Sequence, residues 1–261
     1  MTVARDSPYM PPQTEFTIDC PTLESGQTLL VGLASPGMAS LTAATHIVDE
    51  HDSTEVGHIS PEELPAITPF EEGVPRHHTR LYDLTGVDIV VLLSELFVPP
   101  WAARPFVGEV LDWATRCQIE EVAMLHPVPY EHAPEDHQTF YIASEEYETN
   151  RLGDSDIPAM RGGVLDGVPS EFLSHSLEGE GPPTGIYVTP AHPPGPDIDG
   201  ALLFLDALES VYDLEIDRSE LEDLSREIKI HYETLAERMS TLDESEKARD
   251  ERDFYADRMY M

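Results

Sequence analysis

The first strong apolar run along the chain is Gln27 to Leu33, Gln-Thr-Leu-Leu-Val-Gly-Leu, which predicts a buried strand ending in the turn-rich Ala34-Ser-Pro-Gly37. Leu41, Ala44, Ile47 and Val48 then recur at helical spacing, predicting a helix over Ser40 to Glu50 with Ser40 as its cap. Glu55 to Ile59 and Thr79 to Asp83 are short strand candidates on either side of a proline-rich connection. Asp88 to Leu93, Asp-Ile-Val-Val-Leu-Leu, is the strongest strand signal, because such a continuous β-branched run suits a parallel strand covered on both faces. Phe106, Val110, Trp113 and Ala114 mark one face of a helix over Trp101 to Cys117, and Glu121 to Leu125 returns as a strand. Strand, helix, strand points to α/β architecture. Further short strands are expected at Glu15 to Asp19, Phe140 to Ala143, Gly163 to Leu165 and Gly185 to Thr189, with a helix over Gly200 to Tyr212.

The pattern changes after Ile216-Asp217. Leu221, Leu224, Ile228, His231, Leu235, Met239 and Leu242 follow one another in steps of three and four, predicting an amphipathic, heptad-patterned helix over residues 218–243. Such a seam buries itself on its own domain or on another copy, so a homo-oligomer is one expectation and an ordinary packing helix the other. The divisions expected are a loose proline-rich arm over 1–14, an α/β domain over 15–217, this helix, and a charged tail over 244–261.

Charge alters the picture more than length does. The 261 residues hold 51 Asp and Glu against 15 Lys and Arg, a formal charge of -36, yet 40% are hydrophobic, enough for a folded core. Only Lys229 and Lys247 are lysines, and the acids are spread along the chain, a pattern similar to proteins of salt-accumulating halophiles. At molar salt the Debye length shrinks to about 3 Å and screens that self-repulsion. Partial unfolding is therefore expected in dilute buffer; a melting temperature unchanged between low salt and molar KCl would refute it. Clustered basic residues for gripping phosphates are missing, which disfavours nucleic acid as a partner. No apolar run approaches the roughly 18–20 residues of a membrane span. The start, Met1-Thr-Val-Ala-Arg, does not read as a secretory signal, and Cys20 and Cys117 lack ligand-like spacing, so a cytoplasmic protein is expected.

Candidate chemistry is sparse. Gly32-Leu-Ala-Ser-Pro-Gly37 lies between a strand and a helix, where backbone amides favour an anion, but Pro36-Gly37 also suffices for a structural turn. Gly32, Ser35 and Gly37, with Ser94 and Glu95 after the strongest strand, are the candidate ligand residues of a crevice at the carboxyl ends of the strands. One glutamate without a partner base is not a mechanism, and no nucleophile elbow occurs, so no catalytic residue and no cofactor are assigned. His77, His78, His126, His132 and His137 fall in polar, proline-rich stretches without a metal motif; they read as solvated loop residues, and no metal ligand is assigned.

The last three residues, Met259-Tyr260-Met261, place a hydrophobic residue and a tyrosine before the terminal residue. This resembles the tail by which certain regulators dock between outer-ring subunits of the proteasome. The carboxylate would enter a cationic pocket while ring and apolar side chain fix depth, and several tails on one oligomer would add avidity.

The order of blocks resembles the proteasome assembly chaperone family of the second-subunit type, in its archaeal branch. The resemblance runs from Gly26 to Arg238. It rests on Leu29-Leu-Val-Gly-Leu-Ala-Ser-Pro-Gly-Met38, Asp88-Ile-Val-Val-Leu-Leu-Ser-Glu95, Arg161-Gly-Gly-Val-Leu-Asp-Gly167, Gly185-Ile-Tyr-Val188, Pro196-Asp-Ile-Asp-Gly-Ala201 and Leu214-Glu-Ile-Asp217. It implies a three-layer α/β/α sandwich similar to purine nucleoside phosphorylases, and an ATP-independent, non-enzymatic chaperone or regulator whose partner is the α-ring of the proteasome core particle. Met259, Tyr260 and Met261 carry over as its docking residues. The alternative is a nucleoside-type ligand-binding protein or hydrolase using the sheet crevice. The acid load and the histidine-rich stretch 126–137 depart from the family pattern.

Overall fold

A computed structural model describes residues 14–21, 23, 27–130, 132–133, 136–192, 195–228 and 230. Its scaffold is an eight-stranded mixed sheet. In chain order the strands of the larger sheet are β1 (Phe16–Asp19), β2 (Thr28–Leu33), β3 (Ser53–Pro61), β6 (Thr79–Leu84), β7 (Ile89–Ser94), β8 (Glu121–Val128), β9 (Phe140–Ala143) and β10 (Thr184–Pro190). Between β3 and β6 lies a small hairpin, β4 (Phe70–Glu71) with β5 (Val74–Pro75). The spatial order is β1-β3-β6-β7-β2-β8-β10-β9. The four central strands β7, β2, β8 and β10 are mutually parallel, and the antiparallel strands extend both edges.

Every residue of β2, β7 and β10 is buried, as uninterrupted apolar runs require when helices cover both faces. Register aligns Leu92, Val31, Met124 and Ile186 across the parallel strands. These side chains share a core with Phe106, Val110 and Trp113 of α2 (Ala103–Cys117) and Phe172 of α4 (Gly167–Glu178). Burying each such side chain contributes about 1.5–3 kcal/mol. Alternate positions point to the other face. There α1 (Ala39–Glu50) packs on β2 and against α5 (Ile198–Tyr212), which also covers β10. A short α3 (Glu145–Tyr147) continues into a π turn over Glu148–Leu152. Among the described residues no helix is long and apolar enough to cross a membrane.

Three expectations are corrected. Ser40 does not cap α1: the cap position is Met38, in left-handed conformation (φ 60), while the Ser40 hydroxyl donates to the Leu33 carbonyl at 2.6 Å. Gly163 to Leu165 form no strand, and Val164 is 97% exposed. The neighbouring chain makes only an isolated bridge, Tyr141 to Ala159, so the segment lacks a ladder to join. The long helix also begins later, at Ala103, after a 3-10 turn over Pro100–Ala102, because Pro99 and Pro100 have no backbone N–H to donate.

A second compact unit begins at Asp217. Residues 219–228 are helical, opened by Asp217, whose carboxylate accepts from the Ser219 amide at 3.0 Å. Leu221 is buried, Ile228 half-buried and Leu224 exposed. Leu235, Met239 and Leu242, and the terminal Met259, Tyr260 and Met261, lie outside the described residues.

Candidate functional site

Open α/β sheets place ligands beyond the carboxyl ends of their parallel strands. Here that edge carries a cavity of about 130 Å³ between the loop after β2 (Ala34, Ser35), the loop after β7 (Phe97, Val98) and the start of α4 at Asp166 and Gly167. His126 and Asp166 also border a second cavity, of about 480 Å³, against Ile142, Met160 and residues 162–165. Burial lowers the His126 pKa, and the nearby Asp166 opposes that shift.

The residues singled out in the sequence do not all meet there. Ser35 lines the smaller cavity, with its hydroxyl 3.0 Å from that of Ser40. Gly32 lies under α1, where a Cβ would overlap Ala44 and stand 2.9 Å from the Ser40 carbonyl, so its bareness serves helix-on-strand packing. Gly37 takes φ 80 at the turn into α1, and its carbonyl accepts from the Asp197 amide at 2.7 Å. Ser94 is fully buried, 2.6 Å from the Thr79 hydroxyl, and accepts the Leu96 amide at 3.1 Å. Glu95 faces Arg80, whose Nη2 donates to it at 2.7 Å, and Arg76, at 3.7 Å. Arg80 is only 2% exposed, so this acid balances a buried cation. Ser94 and Glu95 thus serve the β6–β7 ladder and do not line the cavity.

Two other polar clusters flank the β8–β10 pair. Near the start of β8, Glu121 accepts from Thr28 Oγ1 at 2.9 Å and from Arg151 Nε at 2.7 and 2.9 Å. Beside it the Tyr147 hydroxyl lies 3.0 Å from that of Tyr187 and 2.6 Å from that of Tyr212. A Cβ at Gly185 would overlap the Tyr147 ring, which is how β10 admits that side chain.

Beyond the carboxyl ends of the same two strands, the loops after β8 and β10 emerge side by side. They bring together His132, His137 and His192, one ring nitrogen of each lying within 4.8 Å of the others. His132 Nε2 is 3.3 Å from His192 Nε2. His192 Nδ1 lies 2.9 Å from Asp197 Oδ2, and the His192 amide donates to the same oxygen at 2.8 Å. His132 Nδ1 lies 3.1 Å from the Tyr130 carbonyl. Burial, then the neighbouring His192 and His132, lower the His137 pKa. His132 and His137 stand in the stretch read above as a solvated loop. His192 had no local signal, since it follows 55 positions later in Ala191-His-Pro-Pro; only the adjacency of two parallel strands unites the set.

The chain belongs to the PAC2 family, whose sequence profile matches residues 29–236. The fold is similar to that of Pyrococcus furiosus PbaA, an archaeal homolog of proteasome-assembly chaperone, with a TM-score of 0.76 at 18% identity over 95% of this chain and 100% of that one. A protein of unknown function from Thermoplasma acidophilum matches with a TM-score of 0.69 at 20% identity, over 86% of this chain and 91% of that one. Pyrococcus furiosus PbaB, an archaeal proteasome activator, matches with a TM-score of 0.69 at 17% identity, over 85% and 99%. No curated protein matches the sequence.

Proposed function

We propose that this PAC2 protein is a non-enzymatic, ATP-independent proteasome assembly chaperone or regulator that docks on the α-ring of the core particle through Met259, Tyr260 and Met261. Its membership of the family carries the reading, and the kinship of fold with one protein described as a homolog of proteasome-assembly chaperone and another described as a proteasome activator supports it. The terminal sequence suits the role chemically. Burying Met259 and Tyr260 contributes about 1.5–3 kcal/mol each before ordering costs, a gain that salt does not screen. Presentation of several tails by a homo-oligomer, built through the helix over 218–243, converts weak single contacts into avidity. A charge of -36 fits work in a salt-rich cytoplasm, as in a haloarchaeal member of the second-subunit type.

The nucleoside-pocket alternative finds less support. The crevice beside Ser35 holds about 130 Å³, against roughly 300–1,000 Å³ for ordinary small-molecule sites, and the adjoining cavity of about 480 Å³ is lined by none of Gly32, Ser35, Gly37, Ser94 or Glu95.

The test is binding of the full chain to its cognate core particle in molar KCl, beside a chain ending at Arg258, with circular dichroism showing both folded. Binding lost with the last three residues supports tail docking, and peptide hydrolysis by the complex then separates gate opening from assembly. Equal binding by both chains moves the contact to the sheet unit or the helix, and binding by neither removes the proteasome from the reading.

A further inference from the structure

We propose that His132, His137 and His192 form a binding site for a divalent transition-metal ion of the zinc class, with Asp197 as the residue that positions His192.

The acceptors around the two rings place their protons. The Asp197 carboxylate spends Oδ1 on the Gly200 amide, at 2.9 Å, as the cap of α5, and Oδ2 on His192. An acceptor on that side fixes the proton on His192 Nδ1, leaving a lone pair on Nε2. A backbone carbonyl can only accept, so the Tyr130 oxygen fixes the His132 proton on Nδ1 in the same way. With one proton each, on Nδ1, the two rings aim Nε2 lone pairs at each other across 3.3 Å, an opposition that a cation relieves, whether a proton shared between them or a metal ion bound by both. That arrangement lacks a positive centre. Nitrogens bound tetrahedrally to one zinc ion at about 2.0–2.1 Å stand roughly 3.3–3.4 Å apart, so the observed separation is that of two ligands of one ion. His137 supplies the third nitrogen from within 4.8 Å, and three imidazoles leave a fourth position for water or a partner group.

The outer contacts follow the same logic. A metal-binding histidine ordinarily donates its second ring nitrogen to a carboxylate or a carbonyl, and both forms are present, on Asp197 and Tyr130. Asp197 is buried, caps α5 and donates its amide to the Gly37 carbonyl at the turn into α1. An ion here would pin the loop after β8 to the start of α5, at the edge where this fold class places ligands.

The test uses the full chain in molar KCl, stripped with chelator and titrated with Co²⁺ as a spectroscopic probe. One equivalent should produce the intense visible bands of a low-coordinate nitrogen site, and Zn²⁺ should abolish them stoichiometrically. His132→Ala and His192→Ala should lose the bands, while His175→Ala, on α4, should keep them. Asp197→Asn, which preserves an oxygen for the α5 cap, should weaken affinity about 10–100-fold. A variant-free readout guards against misfolding: Zn²⁺ should protect His132, His137 and His192, but not His175, from diethylpyrocarbonate, mapped by mass spectrometry. Pale octahedral bands that do not saturate at one equivalent would overturn the site as loose carboxylate binding. So would bands indifferent to the histidine variants, or an absence of protection.

Discussion

The two ends of the β8–β10 pair carry polar clusters of similar size and opposite character. At one end Glu121, Thr28 and Arg151 exchange hydrogen bonds, Tyr147 joins Tyr187 to Tyr212, and the Arg151 guanidinium sits 5.1 Å over the Tyr212 ring. Each of these groups meets one of complementary sign or role. At the other end three histidines converge, with Nε2 of His132 and Nε2 of His192 face to face. Polarity alone does not distinguish the clusters, and neither does sequence distance, since both unite residues from separate elements. The distinction comes from matching donors to acceptors: a closed set stiffens the fold, whereas a set missing its cation is arranged for something added.

The largest effect that bears on this contrast is expected from Glu121→Ala. Removing one partner of a buried ion pair costs about 3–5 kcal/mol, and here the Thr28 hydroxyl loses its acceptor as well. Arg151 is 37% exposed and regains some water, so a loss of about 3 kcal/mol is expected in urea unfolding at molar KCl. A loss under about 1 kcal/mol would break the closed-network reading.

Tyr147→Phe should follow at about 2 kcal/mol, because it strips the hydroxyl shared by Tyr187 and Tyr212. It also carries a pH signature. Burial, above all other causes, holds the pKa values of Tyr147, Tyr187 and Tyr212 well above the usual 10. The folded chain then keeps protons that the unfolded chain releases. That stability is complete below about pH 10 and is lost as pH rises towards the folded values, at about 1.4 kcal/mol per pH unit per tyrosine. The variant lacks one of three such contributions and should show a shallower alkaline decline. Parallel declines would mean that Tyr147 ionises freely.

What the sequence revealed and what it hid divide along a physical line. Leu29 to Val31 and Ile89 to Leu93 are buried on both faces, so an unbroken apolar run suffices to announce them. Phe106, Val110 and Trp113 announce α2 through period alone. Helix α4 escaped because only Val168, Pro169 and Phe172 of its twelve residues are buried, with Leu177 left 78% exposed, which makes no stripe. Gly32, Ser35, Gly37, Ser94 and Glu95 lie at strand ends as expected, but whether such residues face a crevice depends on contacts with Ala44, Thr79 and Arg80 that spacing does not encode. The histidine cluster was hidden for the same reason: its third member belongs to another strand's loop.

The smallest expected effect gives the sharpest form of the contrast. In metal-free protein His192→Ala should change stability by only about 0.5 kcal/mol. The side chain is 43% exposed, and its removal leaves Asp197 Oδ2 still bonded to the residue 192 amide while ending the opposition of two Nε2 lone pairs. In excess zinc the intact protein should gain about 1.4 kcal/mol for each tenfold excess of ion over its dissociation constant, and the variant should gain none. A gap between the two proteins that opens only with zinc belongs to an incomplete site. A gap of about 2 kcal/mol already present without metal would place the histidines beside the tyrosines, as a cluster finished by its own contacts.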